Sequence, residues 1–348
     1  MLMKIFWVVF HFFAITFIVL MASCKPIGQS EQKETQAENK DALAELKLLT
    51  EIPLPEVKGG FDLMATDIEG RRLFVSAEDN HSVEVIDLRH NSVRTSIPNL
   101  NEPKWIVYNT ELRRLFVATG GDGRVTAFED SSFTSKYFFT FKEKCNNLRY
   151  DSASGLLLVG VGKTYGAIGI IDTRQNKIGG VIPLAAYPKQ FELTADFIYV
   201  NVPAINSVQI IDRVARKVIT NWAVTKENDN VPMALDHNHG RLFIGCQKGK
   251  FMVYDIASGK EIARLNIHRE ADGIYYDPSR SQIYISCGEG YIDVITQYDA
   301  DHYLRKESII TVEGAATSLY SPELNELFLP VPQKEHRKAS LRIYRPLN

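Results

Sequence analysis

The sequence predicts an all-β chain, a seven-bladed β-propeller whose ring is closed by an N-terminal strand completing the last blade. Three observations carry this. A short apolar-aromatic strand recurs about every 42 residues, and a second strand, often ending in Asp, follows it by 11–13 residues. No 15-residue amphipathic helical pattern interrupts them, and turn residues separate the runs. Four strands per ~40–45 residues is the arithmetic of a propeller blade. A lone four-stranded sheet has two apolar faces to cover, and radial packing covers both.

The first 44 residues stand outside the repeat. Lys4 gives a positive start, and Ile5–Ala22 is an apolar run of 18 residues broken only by His11 and Thr16. That exceeds the ~7–15 apolar residues of a usual signal peptide and falls within the ~17–25 that can span a bilayer. The end of the run decides between them. Met21-Ala22-Ser23-Cys24 resembles a bacterial lipobox, with Met where Leu is usual. The resemblance implies that residues 1–23 are a lipoprotein signal peptide and that Cys24 is lipidated. The chain is then tethered to the bacterial cell envelope, and an uncleaved anchor would put it on the same side. Lys25, where inner-membrane retention typically has Asp, points to the outer membrane, on its periplasmic or surface side. Residues 24–44 are polar and lack aromatics, so they cannot bury enough apolar surface to fold alone. They read as a flexible tether.

Residues 45–348 hold the repeat. The strand anchors are Phe74, Phe116, Leu158, Tyr199, Phe243, Tyr284 and Phe328, spaced by 42, 42, 41, 44, 41 and 44 residues. The following strands include Val85-Ile86-Asp87, Ile170-Ile171-Asp172, Ile210-Ile211-Asp212 and Val253-Tyr254-Asp255. Blade 7 has strands near Thr317–Tyr320, Leu327–Leu329 and Leu341–Tyr344, and then the chain ends. Its fourth strand is expected from Lys47–Leu54, which resembles the outer strands Ser92–Pro98 and Lys177–Leu184. Pro53, Pro98 and Pro183 suit outer edges, where a missing N–H costs little.

These residues resemble a family. An apolar-aromatic-Val strand followed by one ending in Val-Ile-Asp is similar to the repeat of the YVTN-type seven-bladed propellers. Ile198-Tyr199-Val200-Asn201 and Asn206–Asp212 match best, and Pro103, Pro188 and Pro232 suit the blade starts. The resemblance implies the fold over about 46–348 and says little of function, because propellers host binding modules and enzymes alike.

In propellers of this type one face carries the ligand site, formed by residues leading into each innermost strand. Counting back from the anchors gives Asp62, Lys104, Asn146, Lys189, Met233, Asp272 and Ala316. Loops between second and third strands add Glu78, Asp79, Asn80, Asp122, Lys163, Tyr165, Asn206, Lys248 and Glu289. Blades 6 and 1 are acidic, and blades 2 to 4 carry the lysines. Such a mouth orients a polar ligand, and Asp62, Lys104, Asn146, Lys189 and Asp272 are its expected ligand-binding residues. No cofactor is expected. An alternative, by likeness to lactonase-type propellers, is a hydrolase or lyase holding Ca²⁺ or Mg²⁺ on Asp62, Asn146 and Asp272, though nearby lysines oppose a cation.

The remaining motifs read as structure. His237-Asn238-His239 falls in a hairpin on the opposite face. Cys246 and Cys287 occupy positions held elsewhere by Ala77, Thr119, Val161, Val202 and Val331, so buried thiols are expected there, and Cys145, with no evident partner, is expected to be a free thiol as well. Thr119-Gly120-Gly121-Asp122-Gly123 reads as a tight turn, and Trp105 as core. There is no Gly-x-Ser-x-Gly, no Gly-x-x-x-x-Gly-Lys-Ser/Thr and no Cys-x-x-Cys-His. With 40 Lys+Arg against 42 Asp+Glu, the chain lacks a basic nucleic-acid footprint. The expectation is a non-enzymatic binding or scaffold module, offering its channel face to a protein, peptide or glycan.

Overall fold

A computed structural model describes residues 45–224 and 229–347. The expected signal peptide, Cys24 and the tether lie outside the described residues. Residues 45–347 form seven antiparallel four-stranded sheets, each one blade of a β-propeller. Blades 1 to 6 are each built from four consecutive strands. Blade 7 takes Leu319–Ser321, Glu326–Val331 and Ser340–Pro346 from the C-terminus and its outer strand, Leu46–Pro53, from the N-terminus. Leu46 pairs with Pro346 and Pro53 with Ser340, so the predicted closure is the observed one.

The burial pattern explains why the sheets pack radially. The second strand of blade 1, Arg72–Ala77, is buried at every residue, whereas its outer strand, Ser92–Ile97, is exposed at all but the last. Alternate residues of one strand face different neighbours, as the two-residue period requires. Leu73, Val75 and Ile86 pack against Phe328, Leu341 and Ile343 of blade 7. Phe74, Val83 and Val85 pack against Ile106, Leu115 and Val117 of blade 2. All seven anchors lie on second strands and are buried. Among the described residues the helical element is one 3₁₀ turn, Pro203–Ile205, and none is long and apolar enough to cross a membrane.

The innermost strands line the central channel. In blades 2, 3, 5 and 6 the ladder slips at their start. Pro103 pairs with Thr119 but Trp105 with Ala118; Cys145 with Val161 but Leu148 with Val159; Ala271 with Cys287 but Gly273 with Ser286. The extra residues are Lys104, Asn146 with Asn147, and Asp272. A bulge leaves its extra residue unpaired and re-aims its side chain. This local slip delivers polar side chains to the channel from strands that are otherwise core.

One counted position is corrected. In blade 5 Asn230 pairs with Cys246 and Met233 with Ile244, so two residues, Val231 and Pro232, oppose Gly245. Met233 is therefore a ladder residue, 1% exposed within the core between blades 4 and 5. Val231 lines the channel cavity in its place. Blade 7's first strand begins at Leu319 rather than Thr317; Thr317 and Ser318 are buried ahead of the ladder.

Candidate functional site

A cavity of about 250 Å³ occupies the channel mouth. Asp62, Lys104, Asn146, Lys189 and Asp272 all line it, so the structure brings the five expected residues together. Leu63, Trp105, Gly120, Lys144, Cys145, Asn147, Tyr187, Gln190 and Val231 complete the wall.

The acidic and basic groups are not equivalent. Lys104 Nζ lies 3.7 Å from Asp62 Oδ2 and donates to Glu78 Oε1. Burial works against its charge, but Asp62 and Glu78 outweigh burial and hold the ammonium above its usual value. Lys104 is thus already neutralised from within the protein. Lys189 makes no ion pair among the described residues, and its Nζ lies 5.7 Å from the Tyr187 ring centroid. Tyr187 in turn accepts a 2.8 Å hydrogen bond from Asn146 Nδ2. Burial first, and the Asp272 charge second, push Asp62 well above the ordinary carboxylate value of 3.8, with Lys104 and the Leu63 N–H opposing. Burial also raises Asp272, with Lys189 and Lys104 opposing.

The Asp272 shift has a testable sign. The folded chain keeps this proton to higher pH than the unfolded chain does. Ionising Asp272 therefore costs stability, increasingly as pH rises from 3.8 through its raised value. Asp272→Asn is expected to melt about 1–2 °C higher than wild type at pH 7, a small shift for so large a domain. The gap should close below the ordinary carboxylate value. A variant that melts lower at pH 7 would show that the carboxylate is stabilising. Scanning calorimetry across pH checks this.

Gln190 was not anticipated. It is 6% exposed, and its Nε2 donates to the Asp272 carbonyl at 3.0 Å while its Oε1 accepts from the Met233 N–H at 3.2 Å. One side chain of blade 4 therefore ties blades 5 and 6 together. It also lines a second cavity of about 180 Å³, with Arg149, Glu192, His237 and Tyr275. Gln190 stands where the two cavities meet. Asn147, 3% exposed, was likewise missed. Both sit one residue after a channel position, where blades 1, 2 and 6 have Leu63, Trp105 and Gly273. A polar residue at an otherwise apolar or glycine position was the available signal.

The metal alternative fits poorly. Lys104 puts an ammonium beside Asp62 and Glu78, where a cation would have to stand. Among the described residues no group of three His, Cys, Asp or Glu side chains is placed to hold a metal ion.

The other motifs are absorbed by structure. His239 Nδ1 lies 2.7 Å from Asp236 Oδ2, and the N–H groups of Asn238 and His239 donate to Asp236 Oδ1, closing the expected hairpin. The glycine loop spends its N–H groups internally: Gly120 donates to Glu102 O at 2.8 Å and Gly121 to Asn101 O at 3.1 Å. Gly123 has φ +66°, and a Cβ there would meet the Glu143 carbonyl oxygen at 2.5 Å. Trp105 is 7% exposed, with the Arg149 guanidinium 4.4 Å from its ring centroid. Cys145, Cys246 and Cys287 are buried thiols, and burial pushes those of Cys145 and Cys287 far above the usual range. Of the loop residues, Asp79 accepts from the Gly60 N–H at 2.7 Å and Asn80 from the Lys58 N–H at 3.1 Å, holding the segment before blade 1.

No protein-family model and no curated protein matches the chain. Solved structures do. A chain of hydrazine synthase from Kuenenia stuttgartiensis superposes with TM-score 0.69 at 16% identity, covering 78% of this chain and 92% of that one. A chain from the crystal structure of a mitotic checkpoint complex gives TM-score 0.74 at 14% identity, covering 96% of this chain and 99% of that one. At such identities the likeness is one of fold.

Proposed function

We propose that the protein is a lipid-anchored propeller of the bacterial cell envelope that binds a protein, peptide or glycan through its channel mouth. The observation that carries this reading is the cavity lined by Asp272 and Lys189, neither with an ion-pair partner among the described residues, and by a Lys104 that already has two. Fixed structural charges pair internally; charges left open in a concave site serve a ligand. The lipobox-like Cys24 supports attachment to the membrane, and the YVTN-like repeat supports an extracytoplasmic propeller. The checkpoint-complex chain shows the same fold at work within a multi-protein assembly. A catalytic reading has less support, because among the described residues no hydrogen-bonded nucleophile–base pair lies in the cavity.

The experiment is capture from intact envelopes. Wild type is crosslinked in place and compared with Asp272→Asn plus Lys189→Ala, and with Cys24→Ala. The channel variant is expected to lose its co-purifying partner at least tenfold while staying membrane-bound. Cys24→Ala should leave the membrane fraction. Equal capture by the channel variant would move the binding site elsewhere.

A further inference from the structure

The cavity's polar groups divide by whether the protein satisfies them. Lys104 is held by Glu78 and Asp62, and Lys144 Nζ lies 3.4 Å from Glu102 Oε2. Asn146 donates to Tyr187, and Gln190 spans Asp272 O and the Met233 N–H. Three charged or amide groups remain. The Asp272 carboxylate, the Lys189 ammonium and the Asn147 amide have no hydrogen-bond or ion-pair partner among the described residues, and all three residues line the cavity. Asn147 is only 3% exposed and lines the cavity, so what its amide meets beyond the protein is met within the cavity.

The chemistry of these three groups specifies an occupant. Asp272 only accepts, Lys189 only donates, and Asn147 does both. The wall carries Asp62 and Asp272 against Lys104, Lys144 and Lys189, and Glu78 and Glu102 pair with the first two lysines, so four carboxylates stand against three ammoniums and an added positive group is favoured over an added negative one. A volume of about 250 Å³ admits a few small residues and no folded domain.

We propose that the channel mouth takes the free amino end of a peptide. Its ammonium sits against Asp272 on the Asp62 side, a carbonyl near it accepts from Lys189, and the Asn147 amide pairs with a peptide group. This deepens the channel-face reading and rests on it. An amino group bonded to carbon, next to peptide donors and acceptors, matches the three open groups together.

The test uses trialanine and N-acetyl-trialanine as probes of the purified wild-type protein, by calorimetric titration, with glucosamine as a third probe. Trialanine is expected to bind, and N-acetylation, which removes the charge, to weaken binding at least tenfold. Asp272→Asn should weaken trialanine by a similar factor while its thermal unfolding stays cooperative. Equal binding of the acetylated peptide, no binding of trialanine, or binding of glucosamine alone would each overturn the proposal. The acetylation comparison needs no variant, so it stands even if a substitution disturbs folding. If capture from envelopes depends on the channel but trialanine fails, this inference falls alone. If channel-dependent capture fails as well, the parent reading falls with it.

Discussion

Deleting residues 45–58 is expected to abolish cooperative unfolding of the ring and leave an aggregating chain. The segment supplies the outer strand of blade 7 through its pairing with Ser340–Pro346. It buries Leu46, Ile52, Leu54 and Val57, each at most 5% exposed. At ~1.5–3 kcal/mol per buried aliphatic side chain, those four contribute about 6–12 kcal/mol, against a total of about 5–15 kcal/mol for a typical domain. Polar contacts add to the loss. Glu51 accepts from Ser340 at 2.6 Å and Arg342 at 3.0 Å, and Lys306 reaches Glu45 at 2.5 Å. Without the strand, the edge of Ser340–Pro346 and the flank of blade 1 are open at once. Leu48→Ser, at a position 44% exposed on the same strand, should leave the melting temperature nearly unchanged. Refolding the truncated chain with the excised peptide in trans should restore part of the transition. Unaltered melting after deletion would show that the ring does not depend on this strand.

The second large effect separates two lysines that look alike in sequence. Lys104→Ala is expected to cost about 2 kcal/mol at pH 7. Breaking a fully buried pair costs ~3–5 kcal/mol, and here Lys104, Asp62 and Glu78 are 15, 19 and 28% exposed, which screens part of it. The variant leaves Asp62, Glu78 and Asp272 with Lys189 as the lone cation among these groups. Its deficit should be full where Asp62 and Asp272 are ionised and shrink as pH falls through their raised values toward 3.8. Wild type itself should lose the Lys104 contribution at high pH. The folded ammonium titrates above its usual 10.5, so that stability drains as pH rises through the raised value. Lys189→Ala breaks no ion pair and should stay within about 0.5 kcal/mol of wild type, yet lose ligand capture at least tenfold. Denaturant melts across pH, run beside the capture assay, check both. If Lys189→Ala proved as destabilising as Lys104→Ala, the division into a structural and a ligand-facing lysine would be wrong.

Much of the fold was legible because propeller periodicity is a one-dimensional property. Phe74 and its six equivalents recur in the chain because each blade repeats the same burial problem. The Lys47–Leu54 strand was legible because it resembles Ser92–Pro98 while standing alone before blade 1. The five channel residues were reached by counting from the anchors, which works wherever the blades share a register. The count failed at Met233, which pairs with Ile244 in the ladder; the place equivalent to Lys104 and Asn146, twelve residues before the anchor, falls on Val231.

What the amino-acid sequence determined by itself is the ring: its number of blades, its closure and the residues that lead into its axis. These follow from local patterns of apolar and turn residues. What only the tertiary structure decided is which of those residues are committed. Lys104 and Lys189 occupy equivalent places, yet Glu78 and Asp62 neutralise one and leave the other open. Asn147 and Gln190 share a position, yet Gln190 bridges three blades while Asn147 faces the cavity unpartnered. Partners come from other blades, 26 residues away for Glu78 and 82 for the Asp272 carbonyl. Charge and hydrogen-bond satisfaction depend on distance in space, and distance in space is set by the closing of the ring.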